Sequence, residues 1–360
     1  MPKYPLLSAP LNIGNFALTN RIVMPPLLIY KAGDDGLVTQ AHIEHYRRST
    51  GPGLIIVEGA AVLSEGRINR RQLGIFDDDH IDGLTQLAKT IHAGGAVAGI
   101  QIHHAGALAF KETGKRGIKQ LASALVRLGR QQFMTLGLRH IREAFGAATR
   151  RAVEAGFDII EIHGAHGYLF SQFLSPLKNW RIDRYGGKLE NRRRLLLEVY
   201  QEVHSKAAGR ALATVRLGVA DGHRGGLILA DGLSTASALE KDGAELLDIS
   251  SGSGTPPSIR SEGSPFSGRL HLAWEAKQAL SIPVIGGGGI RHPDLAEKAL
   301  QEGMADLIYV GKGMLADPAW ARKTIEGRPE TIVPCQTCGT CFFHDDSTKC
   351  PARNKRRKTT

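Results

Sequence analysis

The chain has 360 residues, 42% of them hydrophobic, enough for one large barrel or two ordinary domains around a sizeable core. Its net charge of +11 is inflated by the last ten residues, PARNKRRKTT, which carry five positive charges; elsewhere the basic residues are scattered without aromatic interleaving, which argues against a nucleic-acid groove. No apolar run approaches the roughly 18 residues needed to cross a bilayer, and MPKYPLLSAPLNIGNF lacks a continuous apolar signal core, so a cytoplasmic protein is the expectation.

Asn20 to Leu27 (NRIVMPPL) reads as a first strand, ended by its two prolines because proline cannot donate to a sheet ladder. Leu54 to Val62 is a second, apolar and β-branched. Asp79 to Ala93 then carries Ile81, Leu84, Leu87, Ala88 and Ile91 at helical spacing. Val97 to His103 (VAGIQIH) makes a third strand. Residues 111–132 are polar and basic, the pattern of a long loop at an active-site end. Thr135 is placed to cap a helix bearing Ile141, Phe145, Ala148 and Ala152 on one face.

Phe157 to Ile162 (FDIIEI) reads as a buried fourth strand, which puts His163, Gly164, Ala165, His166, Gly167 and Tyr168 where it ends. Strand ends are where α/β folds keep their chemistry. One histidine there is more often structural than catalytic. Two glycine-spaced histidines followed by a tyrosine have no obvious packing purpose. The pair of imidazoles can bind a carbonyl oxygen or an anion, and the phenol can donate a proton.

Leu189 to Val203 is the next amphipathic helix. It is followed by a strand at Ala213 to Val219, a helix from about Ser234, a strand at Leu246 to Ser250 and a helix near Ala273. The last strands are Pro283 to Ile285, opening into Gly286 to Gly289, and Leu307 to Val310. Helices are expected from Pro293 and from Asp317. Eight strands alternating with helices predict an α/β fold, a parallel (β/α)8 TIM barrel over residues 1–327, with 328–360 as a C-terminal extension. Glycine runs after the seventh and eighth strands, the second including Gly311, Lys312 and Gly313, are where such barrels hold a phosphate on backbone N–H groups.

Taken together, IGNFALTNRIVMPPL, QIHHAGA, FGAATRRAVEAGFDIIEIHGAHGYLFSQFLSPLKNWRIDRYGG with LENR, VRLGVAD and VGKGMLADP resemble the Old Yellow Enzyme family of FMN-dependent NAD(P)H:flavin oxidoreductases and ene reductases. The similarity runs from about Pro5 to Pro318. It implies FMN as cofactor, NAD(P)H as reductant and a small enone or enoyl substrate. It implies further that Pro26, Leu27 and Leu28 lie against the flavin ring, Ala60 and Gln101 meet its polar edge, and Arg216 sits where negative charge develops on reduction. Gly288, Gly289, Gly311 and Lys312 would hold the phosphate. His163 and His166, with Tyr30 nearby, would bind the substrate carbonyl, and Tyr168 would protonate the α-carbon. Departures stand beside the matches: Lys312 replaces a usual arginine, Leu28 a usual threonine or cysteine, Ala107 a common arginine and Arg184 an acid.

All four cysteines, Cys335, Cys338, Cys341 and Cys350, lie in the tail as C-x2-C-x2-C-x8-C. Four thiolates at that spacing suit a [4Fe-4S] cluster or a tetrahedral zinc, and their position resembles the cluster-bearing dienoyl-CoA reductase branch, whose second gap is usually one residue longer. Two other readings stay open: an electron-transfer or assembly subunit using FMN and a cysteine-bound metal, and a flavin-free phosphate-binding synthase or aldolase. Neither nucleic acid nor membrane is an expected partner, and self-association is left open.

Overall fold

The computed structural model describes residues 2–110, 135–256, 259, 262–338, 341 and 349–354. The loop expected over 111–132 lies outside them. Eight parallel strands close into a barrel in which β10 (Leu307–Tyr309) pairs with β3 (Ile22–Met24). From there the order runs through β4 (Leu54–Ala61), β5 (Val97–His103), β6 (Ile159–Gly164), β7 (Leu212–Gly218) and β8 (Leu247–Ser250) to β9 (Val284–Gly287). The expected (β/α)8 architecture is the one found. No helix among the described residues is long and apolar enough to cross a membrane.

Strand parity builds the layers, because successive side chains on a strand point to opposite faces. On β5 to β8, Ile100, Ile102, Ile160, Ile162, Val215, Leu217, Leu247 and Ile249 face the helices and join the larger core. The alternate positions, Gln101 and His103, Glu161 and His163, Thr214 and Arg216, Asp248 and Ser250, fall on the inner face. The bottom of the interior is apolar, with Val23, Leu54, Ile56, Ile159, Ile285 and Leu307 in contact. Ile13 and Leu18 join them from a hairpin, β1 (Leu11–Ile13) with β2 (Phe16–Leu18), that plugs that end. Polar residues take over toward the C-terminal ends of the strands.

Several expected boundaries move. The strand at Phe157 to Ile162 starts at Ile159 instead, because the Phe157 N–H is used in closing the preceding helix on the Ala152 carbonyl. His163 and Gly164 are therefore inside the strand and not beyond it. The helix expected from Ser234 spans Leu229–Lys241; its cap position is Ile228, which gives no polar capping signal. In place of one helix from Asp317 there are two short ones, Lys312–Ala316 and Trp320–Ile325, and Asp317 between them accepts the Ala319 N–H. The hairpin, the helix Gln40–Arg48 and the helix Leu169–Leu174 are additions to the predicted set.

Residues after the barrel are tied to it. Val333 N–H donates to Asp317 Oδ2 at 2.9 Å, Lys323 Nζ bridges Asp317 Oδ2 and the Thr331 carbonyl, and Arg353 Nε donates to the Leu315 carbonyl at 2.8 Å.

Candidate active site

The C-terminal ends of the strands surround a cavity of about 560 Å³, within the roughly 300–1,000 Å³ usual for small-molecule sites. Pro26, Leu27, Leu28 and Tyr30 line it, as do Gln101, His163, His166, Tyr168 and Arg216. Gly288, Gly289, Gly311 and Lys312 close one end. Every residue expected in the site except Ala60, Cys338, Cys341 and Cys350 borders this one space. Ala60 is fully buried in the core that faces the helices, and its neighbour Gly59 lines the cavity in its place.

The end with the glycines has the form of an anion cradle. Gly288 and Gly289 have φ of +109° and +74°, a region that other residues adopt only under strain, so their backbone can turn where a side chain would intrude. Arg269 and Arg291 line the cavity beside them together with Lys312, which offsets the loss of a forked guanidinium at position 312. Arg216 lies with its guanidinium 5.0 Å from the centre of the Tyr309 ring and its Nε 3.2 Å from Asp248 Oδ2. Gln101 donates from Nε2 to Glu161 Oε1 at 2.7 Å. A phosphate cradle, an apolar wall and a buried guanidinium in one cavity of this size fit FMN.

The histidines are held differently from one another. His163 is the last inward side chain of β6, whereas His166 sits beyond the strand at φ +61° and Gly167 at φ +77°. That left-handed pair of residues turns the chain so that Tyr168, just before the helix Leu169–Leu174, also faces the cavity. Tyr30 and Thr337, two more of the cavity's residues, have φ of +51°. His163 Nε2 lies 2.9 Å from His166 Nδ1, and the His163 and Tyr168 rings meet edge to face at 5.1 Å. Burial, reinforced for both by the Arg216 charge, holds His163 and His166 far below the usual histidine pKa, so both are neutral donors of one N–H each. Burial raises the Tyr168 phenol, which keeps its proton available.

Sequence reasoning passed over His103, Glu161, Asp248, Arg269, Arg291 and Tyr309. For His103 a signal existed: it shares strand parity with Gln101. Cys335 and Thr337 of the extension also line the cavity, while Cys341 packs against the buried cluster of Ile29 and Leu315. All four cysteines are free thiols, and no group of three or more potential metal ligands is gathered among the described residues.

The sequence profile described as the NADH:flavin oxidoreductase / NADH oxidase family matches residues 6–331. An NADPH dehydrogenase of Halalkalibacterium halodurans is 42% identical over 311 residues, covering 85% of this chain and 90% of its own length. An NADH oxidase of Thermoanaerobacter brockii is 38% identical over 94% of this chain, which spans only 53% of that relative. Among solved structures, a 2-naphthoyl-CoA reductase in complex with 2-naphthoyl-CoA superposes with a TM-score of 0.83 at 26% identity, covering 95% of this chain and 56% of that one.

Proposed function

The chain belongs to the NADH:flavin oxidoreductase / NADH oxidase family and is an FMN-dependent oxidoreductase, and on that premise we propose that it passes reducing equivalents from NAD(P)H to the activated C=C bond of a small enone or enoyl compound. The observation that carries this reading is the meeting of two neutral imidazoles and a protonated phenol in the same cavity as the phosphate cradle and Arg216. The naphthoyl-CoA reductase likeness supports a conjugated carbonyl as the acceptor.

FMN, when bound, supplies the hydride. Gly288, Gly289, Gly311 and Lys312, with Arg269 and Arg291 beside them, would hold its phosphate; Pro26, Leu27 and Leu28 would cover its ring, and the backbone near Ala60, with Gln101 and Arg216, would meet its polar edge. His163 and His166 donate hydrogen bonds to the substrate carbonyl oxygen and draw electron density from the double bond, with Tyr30 lining the same space. Tyr168 delivers the proton that completes the saturated product, since its phenol remains protonated at neutral pH. The cysteine tail enters no step of this reading.

Tyr168→Phe separates the roles. Flavin reduction by NAD(P)H should stay near the wild-type rate, while reoxidation by an enone should slow by about 10²- to 10⁴-fold, the range for a lost general acid. Stopped-flow absorbance measures both half-reactions, and reoxidation at the wild-type rate would remove Tyr168 from the mechanism.

A further inference from the structure

Three imidazoles and a hydroxyl stand in series beside the cavity. His103, the last inward residue of β5, has Nδ1 2.9 Å from His163 Nδ1. His163 Nε2 is 2.9 Å from His166 Nδ1, and His166 Nε2 is 2.8 Å from Ser250 Oγ at the end of β8. Burial keeps all three rings neutral, with His103 pushed down to about 3. A neutral imidazole has one proton for two nitrogens, so in the free protein the gap between His163 and His166 holds a single N–H. A carbonyl oxygen polarised from both rings needs two.

We propose that His103 and Ser250 are positioning residues that set the tautomers of His163 and His166, so that both rings turn an N–H toward the oxygen they bind. The proposal rests on the carbonyl-binding reading above. His103 donates from Nδ1 to His163 Nδ1, which places the His163 proton on Nε2, facing the gap. The direction follows from His103 Nε2, which is buried and has no hydrogen-bond partner among the described residues. A proton there would be a donor with no acceptor, whereas a proton on Nδ1 is used. Ser250 is the adjustable end, since a hydroxyl both donates and accepts. In the free protein it accepts from His166 Nε2. When an oxygen arrives, His166 exchanges its Nε2 proton with solvent for one on Nδ1, and Ser250 turns to donate a hydrogen bond to the vacated Nε2. Two nitrogens 2.9 Å apart share points about 2.8 Å from each, the ordinary length of such bonds, so one oxygen can accept from both. Neither His103 nor Ser250 needs to touch the substrate.

The test is binding of 4-chlorophenol to the FMN-loaded enzyme, followed by the flavin's visible spectrum, because its oxygen stands in for the carbonyl. His103→Leu and Ser250→Ala should each weaken binding about tenfold, one hydrogen bond to an anionic or strongly polarised oxygen. His103→Asn, whose amide N–H occupies the place of imidazole Nδ1, should stay within about twofold of wild type. Ring ¹⁵N shifts should show His163 protonated on Nε2 in wild type and in His103→Asn, and as a mixture of tautomers in His103→Leu. Wild-type affinity in His103→Leu or in Ser250→Ala overturns the proposal, as does equal weakening in His103→Leu and His103→Asn, which would mark a packing effect. Ser250→Ala removes a single oxygen and keeps the test open if the Leu variant does not fold. If the double variant His163→Ala with His166→Ala binds the phenol like wild type, it is the carbonyl-binding reading itself that fails.

Discussion

Glu161 and Asp248 are two carboxyls enclosed in the barrel beside one guanidinium, Arg216, and the balance of charge among these three decides what each can tolerate. Burial pushes both carboxyls up; the Asp248 charge raises Glu161 further, and Arg216 restrains both. One proton on the pair leaves a single negative charge opposite the Arg216 cation, the neutral arrangement for this enclosed group. Asp248→Asn alone should be mild, because Glu161 can ionise and take over as counter-charge. Glu161→Gln alone should be mild because Asp248 remains. The double variant leaves Arg216 buried with Tyr309 but with neither carboxylate as counter-charge and should cost about 3–5 kcal/mol, far beyond the sum of the singles. Urea unfolding of the four proteins at fixed FMN checks this, and additivity would show that the carboxyls do not substitute for each other. None of it was legible in the sequence, where Glu161 is one polar letter in an apolar run and Asp248 lies 87 positions further on in another.

At the level of elements, strands were the legible part and ends were not. Buried runs of Leu, Ile and Val announced β4 to β10, because parallel strands covered on both faces must be apolar along their length. The helix Gln40–Arg48 escaped notice because its capping uses His42 Nδ1 to accept the Thr39 N–H, where the usual signature has a glutamate or glutamine at that place. The HGAHGY turn was recognised by composition, and its partners on β5 and β8 required knowing which strands lie beside β6 and β7. The turn after β9 gives a sharper case of an element fixed by one residue. A Cβ at Gly288 would stand 2.9 Å from Ser267 Oγ and adopt φ +109°. Gly288→Ala should destabilise the apoprotein by about 1–3 kcal/mol, the range for a forced backbone conformation, and weaken FMN binding, measured by quenching of flavin fluorescence on titration. Unchanged affinity would place the phosphate elsewhere.

For the whole molecule, buried ionisable groups shape stability from two sides of neutrality. His45 and His103 are pushed down to about 3 and His104 to about 4, chiefly by burial. Their folded values lie below the ordinary 6.5, so the stability they contribute is full above that pH and is lost as pH falls through the folded values. Glu161 and Asp248 are raised above ordinary carboxylates, so their contribution is full at low pH and is lost as pH rises through their folded values. Calorimetry across pH 4 to 9 with FMN in excess should give a melting temperature that falls on both sides of neutrality, and Glu161→Gln should flatten the alkaline side. A wild-type profile that keeps rising through pH 9 would contradict the assignment. The closure of β10 on β3 carries a different implication, for the order of assembly. Arg21 at the head of β3 bonds the Asp306 carbonyl across 285 residues, so the first barrel strand must wait unpaired on one side until the last one has been synthesised. Half of its ladder is therefore exposed for most of translation, the slow, long-range kind of closure that leaves a chain open to mispairing, and a nascent chain stalled anywhere before Leu307 would carry an open sheet edge and no seat for FMN.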